Sequence, residues 1–173
     1  MKRIEAFSPV PPDLAGIIGD HLDEFGGVVV PAIDGVLDHQ AVVTRLASRM
    51  VATGMTAEPL INAAPTGEPD GGVPHYVVQV LHDDDIFYVD PALEVAAQRL
   101  APKEHLTAID AITDPALCFR THELPSVIDW FGGIAEGLAL PRDAAEQWAA
   151  TTWNPTSYRS IPIPKEPGPT YRL

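Results

Sequence analysis

The chain has 173 residues, 46% of them hydrophobic, and carries 24 acidic against 11 basic side chains, for a formal charge of −13. That length and apolar content suffice for one domain with a sizeable core. The negative surface repels nucleic acid and anionic membranes, and no Lys/Arg cluster offsets it locally, so neither is expected as a partner. A single cysteine excludes an internal disulfide framework and every multi-cysteine metal site. With no cationic-then-apolar opening and no apolar run of membrane-spanning length, the expectation is a soluble, cytoplasmic protein.

Residues 1–12 form an extended entry that ends in Pro11-Pro12, and Asp13 then caps a helix predicted over 13–25. Leu14, Ile17, Ile18, Leu22 and Phe25 make its apolar stripe, and His21 reads as a surface or boundary residue. Gly26-Gly27 ends the helix, and Val28-Val29-Val30 is a short buried strand or an extended connector. A second helix follows over 38–54, with Asp38 as N-cap and Gly54 in the C′ position. His39, Val43, Leu46, Ala47 and Met50 share its inward face, so His39 points inward from the first turn. A strand is predicted over 56–62, then a proline- and glycine-rich loop to residue 73.

The most informative stretch is 75–90, where two runs of β-branched and aromatic residues flank His82-Asp83-Asp84-Asp85. This reads as a β-hairpin. A loop closed about Asp83 and Asp84 sets Leu81 opposite Ile86 and Val77 opposite Asp90. One face then carries His75, Val77, Gln79, Leu81, Ile86, Tyr88 and Asp90, and the other, Tyr76, Val78, Val80, Phe87 and Val89, is core. His75 and Asp90 become diagonal neighbours, about 7–8 Å apart at the backbone and within side-chain reach. A histidine and a carboxylate so arranged can share a proton, with the carboxylate fixing the tautomer. The sheet is expected to be buried on one side and to offer this pair on the other.

A helix is predicted over 91–100 and a strand over 105–110. Cys118, in Leu117-Cys118-Phe119, reads as a small apolar strand residue, with a helix starting near Leu124. Helices over 127–138 and 141–150 follow, and Trp130, Phe131, Trp148 and Trp153 are expected to pack together in the core. The proline-rich tail, 156–173, is expected to be extended, docking on the domain at 1–155 or reaching a protein partner.

A helix ending in glycine, a strand, a variable loop, a strand opening His75-Tyr76-Val77-Val78 and a strand ending Val89-Asp90-Pro91 together resemble the transglutaminase-like branch of the papain-like superfamily, over residues 35–93. The resemblance implies an α+β fold with helices packed on an antiparallel sheet. It also implies a cysteine nucleophile at the helix start, a histidine opening the first long strand and an aspartate ending the next. The last two fall on His75 and Asp90, but the nucleophile position falls on His39 or, one residue earlier, on Asp38. The chain is thus expected to be a thiol-less relative with His75 as proton carrier, Asp90 as its orienter, and Gln40 near the helix start to hydrogen-bond a carbonyl oxygen of a peptide or small-molecule ligand. Three alternatives stand beside acid/base chemistry. The cleft of a degenerate enzyme can bind or scaffold without turnover. Through the fold that the resemblance implies, His39, His75 and Asp90 would converge as the two-imidazole, one-carboxylate ligand set of open zinc or iron sites. A permuted hydrolase or acyltransferase would use Cys118 after His75.

Overall fold

The computed structural model describes residues 3–24, 39–62, 74–93 and 114–161, together with the backbone of short strands at 32–33 and 36–37. The elements are β1 (Ile4–Ala6), α1 (Pro12–Glu24), β2 (Ala32–Ile33), β3 (Val36–Leu37), α2 (His39–Ala52), β4 (Thr56–Asn62), β5 (His75–His82), β6 (Asp85–Asp90), β7 (Ala116–Arg120), α3 (Leu124–Gly137), α4 (Arg142–Thr152) and β8 (Arg159–Ser160). The fold is α+β. Six strands form an open mixed sheet in the order β1-β7-β6-β5-β4-β8, antiparallel except where β1 runs parallel to β7, and β2 pairs with β3 as a separate ribbon.

The β5–β6 hairpin closes with Leu81 opposite Ile86 and Val78 opposite Val89, the register expected from alternation. Asp83 and Asp84 both take positive φ, 47° and 69°, so the two-residue loop has the backbone twist that suits right-twisted strands. Helix α2 buries His39, Val42, Val43, Leu46, Ala47 and Met50. It stops in a paired closure of the Schellman kind. Met55 N–H donates to the Met50 carbonyl and Gly54 N–H to the Val51 carbonyl, both at 3.0 Å, with Gly54 at φ 94°. Helix α1 starts one residue earlier than expected, with Pro12 ahead of Asp13, whose carboxylate accepts the Leu14 N–H at 3.0 Å.

Both faces of the sheet are packed, which corrects the expectation of one open face. On one side α1 and α2 lie over Val78, Val80, Phe87, Val89 and Cys118. On the other, Val127 and Phe131 of α3, Trp148 and Ala149 of α4, and Trp153 cover Leu60, Val77, Tyr88, Leu117 and Phe119. The reason is mutual. The second face holds large apolar side chains between its polar ones, and the apolar stripes of α3 and α4 have to be buried somewhere. Phe131, Trp148 and Trp153 meet with ring centroids 4.6–5.4 Å apart, the aromatic cluster read from the sequence. His21 is also corrected. It is 1% exposed, because it lies on the same α1 stripe as Leu14, Ile18 and Leu22.

The start of the tail docks on the sheet. β8 pairs antiparallel with β4, and Ile161 N–H donates to the Pro59 carbonyl at 2.9 Å. The connector at 28–30, the loop at 63–73, the helix beyond Leu93, the strand at 105–110 and the tail beyond 161 lie outside the described residues.

Candidate functional site

Three chain segments deliver polar side chains to one end of the sheet. His39 is the first residue of α2, His75 the first of β5 and Asp90 the last of β6. Asn62, the last residue of β4, pairs with His75 across the ladder and ties this end to α4 through its side-chain N–H to the Thr151 carbonyl, at 2.9 Å. The hairpin register brings His75 and Asp90 together diagonally, and the bond between them, His75 Nε2 to Asp90 Oδ2, is 2.7 Å long. Both side chains have no solvent exposure, and His39 has 5%.

Asp90 is the hub. Its Oδ2 also accepts the Trp153 indole N–H at 3.0 Å, and its Oδ1 accepts the Ala92 N–H at 3.0 Å. The latter closes an Asx turn through Asp90-Pro91-Ala92, so one carboxylate both ends β6 and fixes its own orientation. His39 Nε2 stands 4.0 Å from Oδ1. Its ring lies 4.8 Å from the His75 ring and 5.1 Å from the Tyr76 ring, edge-on to both. Burial pushes the Asp90 carboxyl up, but the imidazoles of His75 and His39 and the Ala92 N–H outweigh it, holding the group down at about 2. Asp90 is therefore an anion at neutral pH, held in a charge-assisted bond with His75.

No family model, curated protein or solved structure matches the chain.

Of the residues singled out in the sequence, His39, His75 and Asp90 converge. Gln40 is exposed in the first turn of α2. Cys118 sits in β7 opposite Val89, on the face packed by α1 and α2, whereas His75 and Asp90 belong to the other. Burial, reinforced by the nearby Glu123 charge and only partly opposed by Arg120, pushes its thiol up to about 12. That leaves Cys118 a packing residue with negligible thiolate. Trp153 is the site residue that the sequence reading missed as a polar partner. The signal was a buried indole, whose N–H requires an acceptor.

Chemically, a buried carboxylate that fixes one imidazole, with a second imidazole against the first, can hold and relay protons. The bond from Nε2 to Asp90 fixes the orientation of the His75 ring. The same three side chains offer one oxygen and two nitrogens, all within 4.8 Å of one another, that could hold a metal ion.

Proposed function

We propose that the chain is a thiol-less relative of the transglutaminase-like branch of the papain-like superfamily, acting by general acid/base chemistry on a peptide or small molecule brought to the start of α2. The observation that carries this reading is the 4.8 Å approach of the His39 ring to a His75 that is itself bonded to Asp90. His39 stands where the resemblance puts the nucleophile, with the family's His and Asp in order behind it. In this reading His75 carries the proton exchanged with the ligand, with the His39 ring against it at the helix start, and Asp90 orients His75 and stabilises its imidazolium. Imidazole has no acyl-transfer role equivalent to that of a thiolate here, so proton transfer, with no covalent intermediate, is the chemistry proposed.

His39→Cys tests the arrangement without knowledge of the substrate. A thiol at a helix start beside an imidazole has a lowered pKa. In the folded variant, the introduced thiol should be alkylated by iodoacetamide with a pH midpoint at least a unit below the ordinary value of about 8.5. His75→Gln in that background should return the midpoint to ordinary. Peptide mapping separates the introduced thiol from Cys118, which serves as the protected internal control. An ordinary midpoint indifferent to His75 overturns the acid/base reading. The near-complete enclosure of the three side chains favours a second reading, a binding or scaffold protein without turnover, for which folded His39→Cys protein would resist alkylation altogether.

A further inference from the structure

We infer that the His39, His75 and Asp90 cluster is a binding site for one divalent transition-metal ion of the zinc or ferrous class. This goes beyond the proton-transfer reading, which it neither needs nor assumes, although the two use the same side chains. Two imidazoles and one carboxylate suit zinc and iron, whereas magnesium and calcium prefer all-oxygen shells. Their donor atoms lie within 4.8 Å of one another, with 2.7 Å from His75 Nε2 to Asp90 Oδ2 and 4.0 Å from His39 Nε2 to Asp90 Oδ1. A tetrahedral ion with bonds of about 2.0–2.1 Å spaces its donors about 3.3 Å apart. Those two distances run to different oxygens of Asp90, and with one donor atom from each residue the set spans at most 4.8 Å, so closing on an ion takes shifts of roughly an ångström per donor.

The surroundings are those that metal carboxylates need. Asp90 is oriented by the Trp153 indole N–H and the Ala92 N–H, so its oxygens are aimed before any ion arrives. The site is buried between packed layers, which strengthens a charged bond there. Three protein donors leave a fourth position for water or a small anionic ligand. The ion would take the space of the proton shared by His75 and Asp90, so proton and metal compete, and binding releases protons.

Cobalt(II), a spectroscopic stand-in for zinc, is titrated at pH 7.5 into untagged, chelator-stripped full chain. The expected result is one equivalent bound, with the visible ligand-field absorption of a four- or five-coordinate site. Because fully buried His75 is a risk to folding, His39→Gln carries the test, with retained fold checked by near-UV circular dichroism. That variant should lose the band, and His39→Cys should regain it with an added sulfur-to-cobalt charge-transfer absorption. Trp153→Phe should weaken binding about 10–100-fold, the usual cost of losing an outer-shell partner. His82→Ala should bind as the parent does, since that ring pairs with Asp13 at the hairpin end, at 2.9 Å. No stoichiometric band in the parent, or an undiminished band in folded His39→Gln, overturns the inference. Alkylation of the His39→Cys variant is measured in chelator, so its outcome is independent: cobalt binding with an ordinary thiol midpoint would sink only the proton-transfer reading, and the reverse only the metal site.

Discussion

Asp90 has no solvent exposure and three N–H groups hold it, from His75, Trp153 and Ala92. Hydrogen bonds to a buried charge contribute more than neutral ones, and leaving such a charge short of a donor is costly. Trp153→Phe keeps most of the aromatic packing and removes only the indole donor, so it should destabilise the fold by about 1.5–3 kcal/mol. Urea denaturation checks this, and a change below about 0.5 kcal/mol would mean that Trp153 acts by packing alone. The His75 and Asp90 pair was legible in the sequence because both lie in one hairpin, fifteen residues apart, where alternation dictates the face. Trp153 lies sixty-three residues from Asp90, and nothing in local periodicity couples them.

At the scale of elements, the hairpin and α2 are each set by local chemistry, and each carries a backbone cost that can be measured. Asp83 and Asp84 sit in the left-handed region, which costs an L-residue roughly 1–2 kcal/mol, partly relieved for aspartate. Glycine escapes that cost but loses more entropy on folding, so Asp84→Gly should be net stabilising by about 0.5–1 kcal/mol. A higher urea midpoint at unchanged m would report it. Gly54 takes φ 94° at the end of α2, and a Cβ added there meets no atom of the described residues within 4 Å, so Gly54→Ala carries the conformational cost of about 1 kcal/mol. Gly132 differs. A Cβ there would come within 2.8 Å of Glu146 Cγ and 3.1 Å of Arg142 Nε, where α3 and α4 cross closely.

Across the whole molecule, a sheet packed on both sides buries titratable groups on each. On the α1 and α2 side, burial lowers His21, and the nearby Arg49 and Arg45 lower it further, to about 4. Those arginines in turn pair with Glu24 on α1, Arg45 at 3.1 Å. The unfolded chain protonates His21 near the ordinary 6.5 and the folded chain only near 4, so between these values the unfolded state holds the extra proton. Stability from this group is complete above about pH 6.5 and is lost as pH falls toward 4, by on the order of 3 kcal/mol. His21→Leu should flatten that slope relative to the parent in urea denaturations between pH 4.5 and pH 7. An unchanged slope would mean that other groups set the acid sensitivity.

What the amino-acid sequence determined by itself was local: the hairpin register, the His75 and Asp90 diagonal, the inward face of α2 with His39 at its head, the glycine stop at Gly54 and the buried strand around Cys118. Each is encoded within a span of about twenty residues by alternation, helical period or a cap. The tertiary structure alone decided that α3 and α4 close the second face of the sheet, that β1 joins β7 in parallel, that β8 extends the β4 edge, and that His21 is buried. It also decided that His39 reaches the His75 and Asp90 pair and that Trp153 completes the carboxylate's shell. These are contacts between segments far apart in the chain. They are settled by which apolar faces must cover one another rather than by any pattern within a single segment.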